Sequence, residues 1–161
     1  MAITGMNHAV MYVRDARRSQ QFYTDVLGFA TVIDHPNAAY VFMRAPKSLN
    51  HHDIAFFSIG SDKTASQAGK TTVGMYHIAW EVKTLVDLED VRVKLQAAGA
   101  LVGQSDHGVN KSLYAQDPDG LEFEVMWLVP AAEWGIAESM AIVEPLDLAI
   151  ERKKFEALGY K

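Results

Sequence analysis

The chain has 161 residues, no cysteine, and 15 basic against 20 acidic side chains, for a formal net charge of −5. The length predicts one domain, and 49% hydrophobic with 22% charged residues is typical of a folded globular protein. The acidic balance argues against nucleic-acid binding, and the lack of cysteine excludes disulfides and thiolate metal sites. No signal peptide or membrane-length apolar run is visible, so we expect a cytoplasmic protein with no membrane partner.

An internal repeat organises the sequence. Met6–Val13 aligns with Met75–Val82, and Met, His and Val recur at a constant offset of 69 residues. Both stretches alternate and are rich in β-branched and aromatic residues, which predicts a strand in each. A helical pattern follows both times, the first capped by Asp15, and the two helices are expected to end at Gly28 and Gly99.

Strand-like runs follow each predicted helix. They are Ala30–Asp34, Ala39–Met43 and Ile54–Ile59 in the first half, and Leu101–Gln104, Ser112–Ala115 and Leu121–Leu128 in the second. The pattern is β-α-β-β-β written twice, with module one at 1–60, a linker at 61–72 and module two at 73–130. The extension 131–161 carries an apolar pattern after Pro145 that predicts a final helix.

A repeat of this length cannot bury both faces of its own sheet. Two copies side by side can bury the second face, because together they form a curved, open mixed sheet. This sheet has the shape of a cup, with the helices outside. We therefore predict an α+β fold in a single domain, built from two tandem βαβββ modules around the cup, with a C-terminal helical tail.

Strand alternation decides which side chains face the cup. The repeat equates His8 with His77, so the two imidazoles are expected at equivalent places in it. In the last strand Glu122 and Glu124 share one face, and alternation leaves open which of them joins the histidines. Two imidazoles and one carboxylate from separate strands form the ligand set of many non-haem Fe(II) sites, which keep adjacent positions open.

Further polar side chains stand at strand ends that the repeat places beside the same cup. His51 and His52 precede the fourth strand of module one, while His107 and Tyr114 flank the seventh strand. Separately, a tandem histidine is commonly solvated and a strand tyrosine commonly packs. Together they would crowd one cavity with polar groups, which costs free energy unless those groups are used.

The stretch His107–Glu124, with Tyr114 and the turn Asp117-Pro-Asp-Gly120, resembles the signature of type I extradiol ring-cleavage dioxygenases. These belong to the vicinal oxygen chelate superfamily, with glyoxalase I and the bleomycin-resistance proteins. Asp15–Phe29 is similar to that superfamily's first helix, and Asn50–Ala55 to the segment that carries the acid–base histidine. The resemblance covers about residues 3–128 and corresponds to the catalytic half of longer relatives, as in the one-domain members.

The resemblance also assigns roles by position. It implies that His8, His77 and Glu124 bind the iron, because the family's carboxylate ligand falls four residues after the glycine of the Pro-x-Gly turn. It further implies three catalytic residues: His52 as the acid–base group, and His107 with Tyr114 as the pair that hydrogen-bonds the substrate oxygen. The chain departs from the signature at Ser105 and in the short spacing between His107 and Tyr114.

The activity that the resemblance implies is Fe(II)-dependent cleavage of a catechol, with Mn(II) as the other candidate metal and O₂ as co-substrate. Both oxygen atoms enter the ring next to the diol, which gives a ring-opened semialdehyde or dienoate. The expected partners are a small catecholic substrate and further copies of the chain in a homodimer or higher homo-oligomer.

Two other function classes compete with the dioxygenase. One is another metalloenzyme of the superfamily, of the glyoxalase, epimerase or fosfomycin-resistance kind. The first two would need a fourth ligand, and Ile54–Gly60 contains neither a carboxylate nor an imidazole. The other class is a non-catalytic protein that binds aromatic ligands, which would usually lack the three metal ligands.

Overall fold

The computed structural model describes residues 2–160. The first five elements are β1 (Ala9–Val13), α1 (Ala16–Leu27), β2 (Ala30–Asp34), β3 (Tyr40–Arg44) and β4 (Ile54–Ser58). The next five are β5 (His77–Val82), α2 (Leu85–Ala97), β6 (Leu101–Asp106), β7 (Asn110–Gln116) and β8 (Glu122–Leu128). Short 3₁₀ turns at Ala131–Glu133 and Gly135–Glu138 precede the last helix, α3 (Leu148–Ala157). The predicted β-α-β-β-β order is confirmed in both halves.

The two sheets share one topology. The strand orders are β1-β4-β3-β2 and β5-β8-β7-β6. In each sheet the first and last strands of the module pair in parallel, and the other neighbours are antiparallel. The fold is therefore two four-stranded mixed sheets, and the sequence repeat is also a structural repeat.

The chain divides into two compact units between Ser66 and Gln67, inside the segment predicted to be a linker. The first unit also takes in the Pro118–Gly120 turn, and the second contains the remaining chain from Gln67 onward. Among residues 2–160, no helix is both long enough and apolar enough to cross a membrane.

Local signals explain where α1 begins and ends. The Asp15 carboxylate accepts a hydrogen bond from the Arg17 N–H at 2.8 Å, which caps the helix as predicted. Gly28 ends it with φ of 73°, a left-handed conformation that glycine adopts without strain. Tyr23 and Val26 are buried, and α1 packs on β3 and β4 of its own sheet.

Alternation along β1 is confirmed by burial. Ala9 and Val13 are buried, whereas Val10 and Tyr12 are exposed on the opposite face. His8 directly precedes the strand and is exposed as well. The face predicted to carry His8 is thus turned away from the buried core of the first unit.

The C-terminal extension is held by a buried lysine. Lys111 on β7 is 2% exposed, and its Nζ lies 2.5 Å from Asp106 Oδ2 and 3.0 Å from Glu151 Oε2 of α3. Burial would raise the pKa of Asp106, but hydrogen bonding and the positive charge of Lys111 outweigh it and lower that pKa. On the same helix Phe155 packs its ring 4.8 Å from that of Trp127.

Replacing Lys111 with methionine is expected to destabilise the protein by about 3 kcal/mol, because two half-buried carboxylates lose their counter-charge. The free energy of unfolding from urea titration measures the change. Lys154→Met is the matched control, since Lys154 is exposed and makes a longer contact with Glu151, at 3.5 Å. This substitution should lower the free energy of unfolding by less than about 1 kcal/mol. Equal costs for the two variants would contradict this account of the buried lysine.

Candidate metal and catalytic site

The second unit brings His77 and Glu124 together. β5 and β8 pair in parallel with Ala79 opposite Glu124, and His77 Nε2 lies 3.2 Å from Glu124 Oε2. The other carboxylate oxygen, Oε1, accepts a hydrogen bond from Asn110 Nδ2 at 3.3 Å. Of the two carboxylates that alternation left open, Glu124 is therefore the one that pairs with His77.

Glu122 has a different environment on the same strand. It is only half-buried and lies beside the phenol of Tyr76. The negative charge of Glu122 and its hydrogen bond with the phenol raise the pKa of Tyr76. Glu122 thus has a partner of its own.

Glu124 and His77 form a donor set suited to a cation. Glu124 is only 7% exposed, and no lysine or arginine in the described part of the second unit forms an ion pair with it. The Nδ1 atom of His77 is buried and has no hydrogen-bond partner among the described residues. A buried carboxylate without a fixed positive charge is costly, so a divalent cation would fit the chemistry of this pair.

His107 and Tyr114 meet in the same unit. His107 Nε2 and the Tyr114 hydroxyl are 2.9 Å apart, and the Tyr114 ring lies 5.8 Å from that of His77. Tyr114 is opposite Glu124 in the β7–β8 register. Burial, then the negative charge of Glu124, raise the pKa of Tyr114, so its phenol stays protonated at neutral pH.

The first unit brings His8 and His52 together. Their ring centroids are 4.4 Å apart, and His51 Nδ1 lies 3.0 Å from His52 Nδ1. Burial, then the positive charges that His8 and His51 would carry, lower the pKa of His52. His52 is therefore a neutral imidazole at pH 7, the form that can accept a proton.

An amide network that sequence reasoning missed orients His8. Asn50 Nδ2 donates to the Asn7 carbonyl at 2.9 Å and to Asp53 Oδ1 at 2.8 Å, so its Oδ1 must be the acceptor for Asn7 Nδ2, 3.1 Å away. The Asn7 Oδ1 then faces His8 Nδ1 at 2.8 Å. Because an amide oxygen only accepts, His8 carries its proton on Nδ1 and keeps a lone pair on Nε2.

Asp53 anchors this network. Its carboxylate also accepts from the Ser48 hydroxyl at 2.7 Å and from the Ala45 N–H at 2.8 Å. Burial would raise the pKa of Asp53, but these hydrogen bonds outweigh it and lower that pKa. The sequence singles out the run Asn50–Asp53 for its histidines, and the structure adds the roles of Asn50 and Asp53 in the network.

The predicted site residues are divided between the two units. His8 and His52 lie in the first unit, whereas His77, His107, Tyr114 and Glu124 lie in the second. Among residues 2–160, no three His, Asp or Glu side chains lie together in a group that could hold a metal ion. The assignment of His8, His77 and Glu124 as metal ligands stays a prediction.

A family model described as the Glyoxalase/Bleomycin resistance protein/Dioxygenase superfamily matches residues 5–125. The chain belongs to this superfamily, which confirms the sequence resemblance at that level. Members of this superfamily include metalloenzymes and proteins that bind small molecules.

Two curated relatives carry dioxygenase names. Biphenyl-2,3-diol 1,2-dioxygenase 3 of Rhodococcus globerulus is 33% identical over 114 residues, which is 70% of this chain and 57% of that protein. Catechol-2,3-dioxygenase of Bacillus subtilis (strain 168) is 25% identical over 131 residues, 81% of this chain and 44% of that protein. The chain spans about half the length of these curated relatives.

Solved structures confirm the fold. A glyoxylase/bleomycin resistance protein/dioxygenase domain from Frankia sp. EAN1pec has a TM-score of 0.65 at 19% identity, over 81% of this chain and 96% of that one. The fosfomycin resistance protein FosX of Listeria monocytogenes has a TM-score of 0.59 at 16% identity, over 83% and 99%. At these identities the likeness concerns the fold alone.

Proposed function

We propose that this protein is an Fe(II)-dependent extradiol dioxygenase that opens a catechol-type ring next to the diol and incorporates both atoms of O₂. The substrate is a small catechol, and the product is a ring-opened semialdehyde or dienoate. His8, His77 and Glu124 would hold the metal, and the active form is a homodimer or higher homo-oligomer.

One observation carries the proposal: the His77–Glu124 pair and the His107–Tyr114 pair share one side of a single sheet. The His77 and Tyr114 rings are 5.8 Å apart, with 3.2 Å and 2.9 Å inside the two pairs. A metal ligand pair alone would suit many enzymes of the superfamily. A protonated phenol beside it supplies what a catechol needs in addition, a group that can hydrogen-bond a phenolic oxygen. The names of the two curated relatives support the same assignment.

The donor set supports a divalent transition metal. His8 has its Nε2 lone pair available because Asn7 fixes the proton on Nδ1, and Glu124 is a buried carboxylate that lacks a fixed counter-charge in its own unit. His8, His77 and Glu124 would hold Fe(II), and that metal would supply a centre at which a diol and O₂ bind together and exchange electrons.

The side chains around the metal ligands would divide the proton chemistry. His52 is neutral at pH 7, so its imidazole can accept a proton from the diol and later return one to the oxygen that leaves the O–O bond. Tyr114 keeps its phenolic proton, and its hydroxyl group, held by His107, would hydrogen-bond a hydroxyl group of the substrate. His107 positions Tyr114 through their 2.9 Å contact.

Loss of the Asn7 amide is expected to weaken metal binding. Asn7→Ala removes the acceptor that fixes the His8 ring, and outer partners of metal ligands typically contribute about 10–100-fold in affinity or activity. Anaerobic titration with Fe(II) measures the dissociation constant. Asn37→Ala, at an exposed turn position, is the control and should bind as the unmodified protein does. An Asn7→Ala affinity within twofold of the control would contradict the role given to the network.

The direct test of the proposed function is oxygen uptake by protein loaded with Fe(II) under anaerobic conditions. We expect catechol or 2,3-dihydroxybiphenyl to consume one O₂ per ring opened, with a yellow product, and hydroquinone, which lacks the vicinal diol, to consume none. No oxygen uptake with either diol by fully loaded protein would overturn the proposal.

A further inference from the structure

A segment of the C-terminal extension, which we call the strap (residues 140–145), is tied to the residue before His107. The Asp106 N–H donates to the Glu144 carbonyl at 2.8 Å, and the Glu144 N–H donates to the Asp106 carbonyl at 2.9 Å. Next to this two-bond bridge, the carbonyl oxygen of Ile142 lies 2.8 Å from His107 Nδ1. The strap therefore contacts one of the proposed catalytic residues from outside the 5–125 family match.

Neighbouring contacts hold the extension firmly against β6 and β7. Gln104 Nε2 donates to the Leu146 carbonyl at 2.6 Å, and Lys111 pairs with Glu151 at 3.0 Å. Gly108 has φ of 76°, and a Cβ there would stand 2.4 Å from the Cβ of Ala137, so only glycine permits this approach. The segments on both sides of the strap are thus anchored to the second unit.

The carbonyl of Ile142 determines where the proton of His107 resides. A carbonyl oxygen only accepts hydrogen bonds, so Nδ1 of His107 must carry the hydrogen. A neutral imidazole has one N–H, which leaves Nε2 as an acceptor. The contact between His107 Nε2 and the Tyr114 hydroxyl at 2.9 Å therefore has the phenol as donor.

The hydrogen bonds of Asn110, on the same strand as Tyr114, also have a defined direction. Asn110, Ser112 and Tyr114 alternate along β7, so they share one face. Asn110 Nδ2 donates to Ser112 Oγ at 2.5 Å and to Glu124 Oε1 at 3.3 Å. Ser112 Oγ thus accepts from Asn110, which leaves the hydroxyl hydrogen of Ser112 to be donated elsewhere.

We infer that the strap contributes a positioning group to the site, the carbonyl of Ile142. This carbonyl fixes the Nδ1–H tautomer of His107, and the tautomer in turn fixes the direction of the hydrogen bond between His107 and Tyr114. The inference rests on the proposed function for its catalytic meaning. Tyr114 donates its one hydroxyl hydrogen to His107, so its oxygen meets a bound ligand as an acceptor. The site consequently selects ligands that present a free hydroxyl, as a diol does, over their methyl ethers.

Side-chain nitrogen NMR on the full chain without metal tests the tautomer directly. Long-range ¹H–¹⁵N spectra distinguish Nδ1–H from Nε2–H, and the His107→Asn variant assigns the His107 signals. We expect the Nδ1–H form in the unmodified protein. Tyr114→Phe should keep it, because the strap rather than the phenol fixes the proton. An Nε2–H form of His107 in either protein would overturn the inference.

Glu144→Pro tests the strap itself. The substitution removes the Glu144 N–H and with it one of the two bonds to Asp106, so His107 should move to a mixture of tautomers. Glu144→Ala keeps the N–H and should keep the Nδ1–H form. In Fe(II)-loaded protein we expect Glu144→Pro to lower kcat for catechol by about tenfold, with KM within twofold.

The outcomes separate this inference from the proposed function. An unchanged tautomer in folded Glu144→Pro protein would overturn the role of the strap, whatever the activity. The expected tautomers together with no oxygen uptake would overturn the dioxygenase and leave the strap as the group that orients His107. If Glu144→Pro does not fold, the unmodified and Tyr114→Phe spectra still decide the question.

Discussion

The Glu124→Gln protein is expected to lose its iron and its activity together. Glutamine keeps the size of the side chain but removes the negative charge that a divalent cation needs, and the loss of affinity should exceed the 10–100-fold typical of outer partners. Iron per chain after anaerobic loading and desalting, with oxygen uptake on catechol, measures the effect. Both should fall to background.

Glu122→Gln is the matched control for this change. Glu122 lies on the same strand and the same face, two residues away, and its partner is Tyr76 rather than His77. We expect Glu122→Gln to retain one iron per chain. Iron retained by folded Glu124→Gln, or lost equally from both variants, would contradict the assignment of Glu124 as the carboxylate ligand.

His52→Ala is expected to keep its iron and lose about 10²–10⁴-fold in turnover, the usual contribution of a general acid–base group. His52 has a lowered pKa, from burial first and then from His8 and His51, so it is in its basic form at neutral pH. Its ring lies 4.4 Å from that of His8, close to a proposed ligand without being one. kcat under saturating O₂, together with iron content, measures the effect.

Two other histidines serve as controls for that substitution. His35 is exposed in the turn between β2 and β3, and His35→Ala should retain full turnover. His51 hydrogen-bonds His52 at 3.0 Å, but the proposed proton transfer uses the His52 ring. His51→Ala should therefore lower turnover much less than His52→Ala does. Loss of iron from His52→Ala would show that His52 serves the metal, against the role proposed here.

The repeat made much of this fold predictable. An alternating strand, a helix followed by a glycine and three further strands occur twice along the chain, and the two sheets have the same strand order. Alternation correctly separated the exposed Val10 and Tyr12 from the buried Ala9 and Val13. It could not separate Glu122 from Glu124, because the choice depends on the position of His77 on β5 and of Tyr76 just before that strand.

The groups that sequence reasoning missed come together only in the folded chain. Ile142 contributes a carbonyl oxygen, which every residue possesses, and it reaches His107 across 35 positions of chain. Asn7 and Asn50 are ordinary loop residues in sequence, and their order of donors and acceptors emerges only when the loop before β4 returns to β1. Side-chain type alone carries no signal for either arrangement.

The burial of the Lys111 charge could not be predicted from the sequence for a related reason. Lysine on a strand usually indicates a solvated face, yet Lys111 is 2% exposed because α3 covers it with Glu151. The final helix was predicted from the apolar pattern after Pro145. Its acidic contact with β7 depends on how the extension packs, which no local pattern encodes.

The proposed activity requires a single metal ion held by His8, His77 and Glu124. Anomalous diffraction at the iron edge, from crystals loaded with Fe(II) under anaerobic conditions, measures this directly. We predict one strong iron peak for each set of these three side chains, bonded to two imidazole nitrogens and the Glu124 carboxylate. An iron peak bonded to other residues, or one that lacks any of the three, would contradict it.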